Sequence, residues 1–205
     1  MINPNQTLRR FYRWNAPIYD LTRWAILRGR RAAIDALRLR PGNGVLEIGC
    51  GTGLSFVSLV EQVGERGRVV GVDLSYHMLA RARHRHRHNV HLIQADAARL
   101  ALRCRFDAVL VSYALTMIPD WQAAIDRACN HLESGGTVVI LDFARCDPPR
   151  ARLRALFNRY LARNHVDTDR DLKGALARRM GRIEELDRVP AHVTLLRGTG
   201  LRSAG

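Results

Sequence analysis

Three glycines at alternate positions, Gly49, Gly51 and Gly53, follow Glu47 in the stretch VLEIGCGTG. Glycine lets the backbone approach a ligand closely, and such a turn between a strand and a helix commonly binds an anion such as phosphate. A dinucleotide-binding turn, however, reads G-x-G-x-x-G and receives a pyrophosphate, which the Glu47 carboxylate would repel. The spacing and the carboxylate therefore predict a ligand that carries positive charge, and they argue against a nicotinamide dehydrogenase.

Strands and helices alternate from residue 45 onward, and these elements must position the turn. Apolar runs (GVLEIGC, GRVVGVDLS, NVHLIQAD, FDAVLVSYAL, GGTVVILDF) are separated by segments with helical spacing (LSFVSLVEQVG, YHMLARARHRHRH, DWQAAIDRACNHL), the last with Asp120 as its N-cap. This alternation predicts βαβ units and a parallel sheet covered on both faces. The runs RIEELDRV and AHVTLLRG, divided by Pro190, predict an antiparallel hairpin at the sheet edge.

The glycine turn, followed by VVGVDLSYHML, resembles class I S-adenosylmethionine-dependent methyltransferases over roughly residues 10–145. The resemblance implies an α/β, Rossmann-like fold with a mostly parallel seven-stranded sheet and a C-terminal antiparallel hairpin. It also implies S-adenosyl-L-methionine as the cofactor. We expect one domain in three parts, which are a helical cover of the substrate site (1–40), a cofactor-binding core (41–145) and an amphipathic helix with a closing hairpin (146–205).

The resemblance also assigns cofactor-binding residues. Gly49, Gly51 and Gly53, with Cys50 between them, would contact the methionine moiety, and Glu47 would assist its placement. Asp73 would accept hydrogen bonds from both ribose hydroxyls. The remaining assignments are Leu74 and Met78 against adenine, Asp96 and the Ala97 amide at the adenine amino group, and Ser112 near the sulfonium. A purely structural alternative is that Asp73 and Asp96 are helix N-caps.

Further stretches resemble enzymes that methylate lipid headgroups. IYDLTRW, GRRAAI, SYALTMIPDWQAAIDRA and ARNHVD are most similar to betaine-lipid N-methyltransferases, then to phosphatidylethanolamine N-methyltransferases, and more distantly to ubiquinone/menaquinone C-methyltransferases. The implied reaction is attack of a lipid amine on the sulfonium methyl, with Tyr19 and Tyr113 orienting the amine and His165 as a weaker candidate. The alternatives are a quinone or other small-molecule C- or O-methyltransferase, and a protein that binds the cofactor without turnover.

The charge balance favours anionic partners. Lys and Arg number 33 against 19 Asp and Glu, a net charge of +14. Arginines interleave with aromatic residues at 9–31 and flank an apolar stripe at 150–163, which predicts contact with an anionic membrane surface. The alternatives are that both segments pack on the sheet, or that the arginines reflect genomic composition. Nucleic acid is disfavoured because SYAL replaces the Asn/Asp-Pro-Pro-aromatic motif of base-modifying enzymes.

No metal or disulfide framework is expected. Cys50, Cys104, Cys129 and Cys146 are scattered, which is typical of a protein in a reducing cytosol. In the Arg/His run at 83–88, His84 and His88 alone share a helix face, and no carboxylate completes a ligand set. No apolar leader or membrane-spanning run is visible, so we expect a cytoplasmic protein that can rest peripherally on the inner membrane face.

Overall fold

The computed structural model describes residues 29–85, 87–144, 167–190 and 192–202. Within these ranges a seven-stranded sheet has the order β3-β2-β1-β4-β5-β7-β6. Its strands are β1 (Gly44–Ile48), β2 (Arg68–Asp73), β3 (Val90–Gln94), β4 (Phe106–Ser112), β5 (Leu132–Phe143), β6 (Met180–Glu185) and β7 (Val193–Leu201). The pairs from β3 to β5 are parallel, whereas β7 runs antiparallel to both β5 and β6. The predicted mostly parallel sheet with a closing hairpin is confirmed.

Five α-helices of the described ranges cover the two faces of this sheet. They are α1 (Arg30–Ala36), α2 (Phe56–Val63), α3 (Tyr76–Ala82), α4 (Trp121–Asn130) and α5 (Leu172–Arg179). Side chains alternate across each strand, so Val45 of β1 packs with α1, α2 and α3, while Leu46 and Ile48 pack with α4 and α5. Because both faces are covered, β1 is buried along its whole length.

Helix α4 begins where its sequence predicts. The Asp120 carboxylate accepts a hydrogen bond from the Ala123 amide at 3.4 Å and acts as the N-cap. The buried side chains Ala124, Ile125, Ala128 and Cys129 recur at helical spacing and face the sheet. The sequence pattern therefore fixes both the start of α4 and the face that it buries.

Two local predictions were wrong, and one helix was missed. The helix predicted over 76–88 ends at Ala82 and continues as a 3₁₀ turn, Arg83–Arg85, because like charges four residues apart disfavour a longer helix. The strand predicted over 106–115 ends at Ser112, because Tyr113 has a positive φ of 53° that no strand residue adopts. Helix α5, whose N-cap is Asp171, was not predicted.

Two of the predicted regions lie outside the described residues. They are the aromatic–arginine segment up to residue 28, and the amphipathic segment at 150–163. In the ranges that are described, no helix is long and apolar enough to cross a membrane.

Candidate active site

A cavity opens at the carboxyl ends of β1, β2 and β4. In the sheet, β2 lies on one side of β1 and β4 lies on the other, so the strand order reverses at β1. Such topological switch points are the usual ligand sites of open α/β sheets. About 700 Å³ of empty space, counted to its open mouth and including open solvent, lies there. The lining residues are Gly49, Gly51, Val72, Asp73, Leu74, Met78, Ala95, Asp96, Ala97, Tyr113, Ala114, Met117, Ile118 and Pro119.

The three glycines of the turn are required for different reasons, although all have positive φ. A Cβ at Gly49 would lie 2.4 Å from the Cβ of Ala114, so this glycine admits the loop after β4. A Cβ at Gly53 would lie 2.6 Å from the Phe56 ring, so this glycine packs α2 against the strand. A Cβ at Gly51 would meet no atom within 4 Å, so it would project into open space. Gly51 therefore forms the part of the turn where backbone can approach a ligand.

Asp73 is held rigidly at the end of β2. Its Oδ2 accepts a hydrogen bond from the Gly51 amide at 2.9 Å, and its Oδ1 accepts one from the Ser75 amide at 2.8 Å. Burial raises the pKa of this carboxyl, against the lowering effect of those two amides. The N-cap of α3 is Ser75, whose hydroxyl accepts from the Met78 amide, so the alternative of Asp73 as that N-cap is wrong. Each Asp73 oxygen keeps a second lone pair for a ligand hydroxyl.

Glu47 lies in β1, just ahead of the turn, and is 1% exposed. Its Oε1 accepts a hydrogen bond from the Ser112 hydroxyl at 3.3 Å, whereas its Oε2 is buried without a partner. Burial raises its pKa to about 7, against the smaller lowering effects of the Ser55 hydroxyl, the Arg30 charge and the Ser112 hydroxyl. The Ser55 hydroxyl acts on this carboxyl without meeting the geometry of a hydrogen bond. An unpartnered buried carboxylate oxygen fits a ligand with an ammonium group, and the open cradle at Gly51 gives that ligand room. These residues therefore fit S-adenosylmethionine.

The other predicted cofactor residues divide between the cavity and the core. Leu74, Met78 and Ala97 line the cavity. Asp96 lines it too, and its Oδ1 also accepts from the Ala98 amide, so the capping alternative holds for that oxygen. Cys50 does not line it, because its sulfur packs on Gly71 of β2, so only its backbone can contact a ligand. Among the remaining predictions, Glu47, Gly53 and Ser112 lie behind the lining residues.

Tyr113 follows β4 and lines the cavity. Its ring packs on Phe143, with centroids 5.1 Å apart, and the Arg30 guanidinium lies 5.4 Å from its centroid. Burial raises the pKa of the Tyr113 phenol, with Arg30 acting in the opposite direction, so the hydroxyl is neutral at physiological pH. A neutral phenol can donate a hydrogen bond but cannot act as a general base. Its predicted companions, Tyr19 and His165, lie outside the described residues.

The loop between β4 and α4 is fastened from two other elements. Asp142 of β5 accepts hydrogen bonds from the amides of Ala114 and Thr116 at 3.1 and 3.2 Å, and from the Thr116 hydroxyl at 2.6 Å. Arg170, just before α5, donates to the carbonyls of Leu115 and Ile118. Sequence reasoning missed Asp142, Arg170 and Arg30, because each acts through a contact that is distant along the chain.

The predicted absence of a metal site stays a prediction. The described part of the chain contains no group of three His, Cys, Asp or Glu side chains that could hold an ion. His86 lies outside that part, so the Arg/His run is only partly described.

Known proteins resemble this chain in fold and in the residues around the cavity. Residues 45–136 match a family model described as a methyltransferase domain. A demethylmenaquinone methyltransferase of Beutenbergia cavernae is 34% identical over 149 residues, which are 70% of this chain and 60% of the relative. That of Desulfitobacterium hafniense is 31% identical over 126 residues, or 58% and 50% of the two chains. The chain thus spans only 50–60% of the length of these two relatives.

Solved structures share the whole architecture at low identity. Phosphoethanolamine N-methyltransferase 2 of Haemonchus contortus superposes with a TM-score of 0.77 at 16% identity, covering 98% of this chain and 61% of that one. The N-methyltransferase NodS of Bradyrhizobium japonicum, in complex with S-adenosylhomocysteine, gives 0.66 at 21% identity over 97% and 99%. Residues 45–136 thus match a methyltransferase domain, and the sheet that encloses the cavity has the same fold as the S-adenosylhomocysteine-bound NodS.

Proposed function

We propose that this protein transfers the methyl group of S-adenosylmethionine to a flat, apolar hydroquinone-type acceptor. The observation that carries the proposal is the cavity wall after β4, which consists of Tyr113, Ala114, Met117, Ile118 and Pro119. None of these side chains is charged at neutral pH, and all but the phenol are apolar. An aromatic ring with an apolar tail gains favourable burial against such a wall, whereas a charged headgroup would lose hydration there.

The charge at this end of the cavity supports the same acceptor. The Arg30 guanidinium lies over the Tyr113 ring and acts electrostatically on Tyr113 and Glu47. A nearby positive charge favours a neutral or anionic acceptor, such as a phenol that loses its proton, and disfavours entry of a protonated amine. We infer that the acceptor hydroxyl loses its proton to solvent, that Arg30 stabilises the resulting phenolate and that the neutral Tyr113 phenol orients it. The ring carbon that takes up the methyl group then releases its hydrogen to solvent as a proton, and the hydroxyl regains one.

When bound, S-adenosylmethionine supplies an electrophilic methyl group whose leaving thioether is neutral. The chain's own residues then have two tasks, alignment and exclusion of water. The loop after β4 is fixed by Asp142 and Arg170, so it can present a constant surface to the acceptor. Alignment of this kind contributes at most about 7–11 kcal/mol to lowering a barrier.

The two related enzymes support a quinone acceptor, since both are named demethylmenaquinone methyltransferases. The aminolipid acceptor is predicted from the resemblance of IYDLTRW, GRRAAI, SYALTMIPDWQAAIDRA and ARNHVD. Of these stretches, IYDLTRW and most of ARNHVD lie outside the described ranges. This acceptor stays a prediction, and the same assay tests it.

The experiment uses the full chain with methyl-labelled S-adenosylmethionine and three separate acceptors. These are a short-chain 2-prenyl-1,4-naphthohydroquinone kept reduced, phosphatidylethanolamine, and diacylglyceryl-homoserine, each in detergent micelles. We expect label in the hydroquinone and at least tenfold less in either lipid. Asp73→Asn should remove the activity, because a neutral amide replaces the carboxylate that the Gly51 and Ser75 amides orient. The exposed Asp187→Asn serves as the matched control.

Label in an aminolipid would reject the quinone acceptor and establish the amine instead. Tight binding of S-adenosylhomocysteine with label in none of the acceptors would reject turnover on all three.

A further inference from the structure

A strongly basic stretch lies beside the cavity, and its basic residues have no role in the proposed reaction. From Leu74 to Gln94 the sequence contains four Arg and five His and no Asp or Glu. The stretch includes α3 and the 3₁₀ turn that follows it, on the sheet face that α1 and α2 also cover. Arg83 and Arg87 are exposed there, as are His84 and His88. A run of 21 residues without one carboxylate makes this segment strongly positive.

Exposed apolar side chains adjoin these arginines. Leu54, Val57 and Tyr76 are 38%, 43% and 54% exposed, and they lie at the starts of α2 and α3. The Arg83 guanidinium lies 5.9 Å from the centre of the Tyr76 ring. Arg85 donates to the Thr52 carbonyl at 2.8 Å, which joins the end of α3 to the loop that carries Leu54. The apolar and basic groups therefore form one continuous surface.

We propose that this α2–α3 surface, formed by Leu54, Val57, Tyr76, Arg83, Arg85 and Arg87, docks the protein on an anionic phospholipid bilayer. Arginines at headgroup level attract anionic lipids, and apolar side chains among them enter the boundary between headgroups and acyl chains. Tyr76 lies between Leu74 and Met78, which line the cavity, so docking here holds the cavity mouth near the bilayer. This inference is independent of the proposed acceptor.

A bilayer fits the α2–α3 surface better than a nucleic acid does. Basic residues alone would suit phosphates of either kind. Single-stranded nucleic acid, however, is bound by rows of aromatic side chains on which bases stack, and this surface has one such ring beside two branched aliphatic side chains. Leu54 and Val57 gain from contact with acyl chains and gain little from contact with phosphates.

The test is co-sedimentation of the full chain with vesicles of phosphatidylcholine alone or with one-quarter phosphatidylglycerol, at 0.1 M salt. Arg83→Glu/Arg87→Glu should weaken binding to the anionic vesicles by at least about 25-fold, since each arginine near such a surface contributes roughly fivefold. Leu54→Ser/Val57→Ser should reduce the binding that persists at high salt. The control Arg127→Glu/Arg178→Glu changes the same net charge on exposed positions of α4 and α5, at the opposite face, and should change binding less than about threefold.

Each other outcome overturns the proposal. An equal loss in the control pair would show that net charge alone binds the vesicles. Unchanged binding in Arg83→Glu/Arg87→Glu would place the contact elsewhere. If that variant lost affinity for polyuridylate and not for vesicles, the surface would be a nucleic-acid site. Unchanged melting temperature and S-adenosylhomocysteine affinity establish that each variant is folded.

Discussion

A single buried carboxyl, that of Glu47, connects stability with ligand binding at the scale of one residue. Its Oε2 has no partner and its pKa is raised to about 7 by burial. A carboxyl whose pKa is higher in the folded chain than in the unfolded chain binds more protons when folded, so the free energy of unfolding falls as pH rises between the two pKa values. For Glu47 that window extends from 4.5 to about 7.

We predict that Glu47→Gln stabilises the ligand-free protein at pH 8. The shift corresponds to about 2–3 kcal/mol that the wild type loses between pH 5 and pH 8 and that the neutral amide does not lose. The melting temperature of the variant should therefore fall less over this range, by roughly 4–12 °C. Differential scanning calorimetry at both pH values measures this. The exposed Glu61→Gln on α2 should behave as wild type, and a parallel fall in all three proteins would refute the prediction.

The same substitution should weaken the binding of S-adenosylhomocysteine. An ammonium group is attracted by an ionised Glu47 and not by its protonated form, so the wild-type affinity for S-adenosylhomocysteine should rise about tenfold from pH 6 to pH 8. In Glu47→Gln the affinity should be lower and much less dependent on pH. Isothermal titration calorimetry at pH 6, 7 and 8 distinguishes the two profiles. If Glu47→Gln is more stable than the wild type but binds S-adenosylhomocysteine less tightly, the buried carboxyl serves ligand binding at the expense of stability.

At the scale of elements, the loop between β4 and α4 depends on its neighbours. It forms the apolar wall of the cavity, yet Asp142 of β5 and Arg170 before α5 hold it. Arg170 also places its guanidinium 5.9 Å from the centre of the Trp121 ring at the start of α4, and Asp167 donates its amide to the Thr116 carbonyl. The C-terminal part of the chain therefore shapes a wall whose residues lie some 50 positions earlier.

We predict that Arg170→Met disorders this wall more than it disturbs the cofactor site. Methionine keeps much of the side-chain volume but leaves the carbonyls of Leu115 and Ile118 without their donor, which costs about 1–3 kcal/mol. KM for the hydroquinone should rise at least fivefold, while the dissociation constant of S-adenosylhomocysteine should change less than twofold. Arg178→Met, exposed on α5, is the control. Equal effects on both ligands would contradict the division between cofactor site and acceptor wall.

The cofactor-binding residues could be predicted from the sequence, whereas the residues that shape the acceptor wall could not, and the reason is physical. The residues Glu47, Gly51 and Asp73 lie on consecutive βα units, so their spacing along the chain determines their proximity. Arg30 of α1 contacts the Tyr113 ring, and Arg170 in the segment before α5 donates to carbonyls of the loop after β4. Both contacts join positions that are distant along the chain, so the sequence around each arginine does not predict them. Similarly, Tyr113 ends β4 early through its positive φ, which the apolar run FDAVLVSYAL does not indicate.

At the scale of the whole molecule, two groups of strands contribute the residues around the cavity, and a bound ligand would contact both groups. Strands β1, β2 and β3 contribute the glycine turn and Asp73, whereas β4 contributes Tyr113 and the apolar wall. A ligand that contacts both groups binds only the folded chain, so it raises the free energy of unfolding by about 2.7 kcal/mol at 100 times its dissociation constant. In a chain of 205 residues this corresponds to a rise in melting temperature of roughly 5–10 °C.

We predict that Gly51→Ala abolishes this ligand-induced rise and that Gly42→Ala preserves it. Both glycines have positive φ, 55° and 94°, and at both a Cβ would meet no atom within 4 Å. Both substitutions place an L residue at positive φ, which costs roughly 1–2 kcal/mol at Gly51 and at least as much at Gly42, but only Gly51 lines the cavity. Thermal unfolding of each variant with and without S-adenosylhomocysteine measures the difference. An equal ligand response in both variants would mean that the cofactor does not lie against the glycine turn.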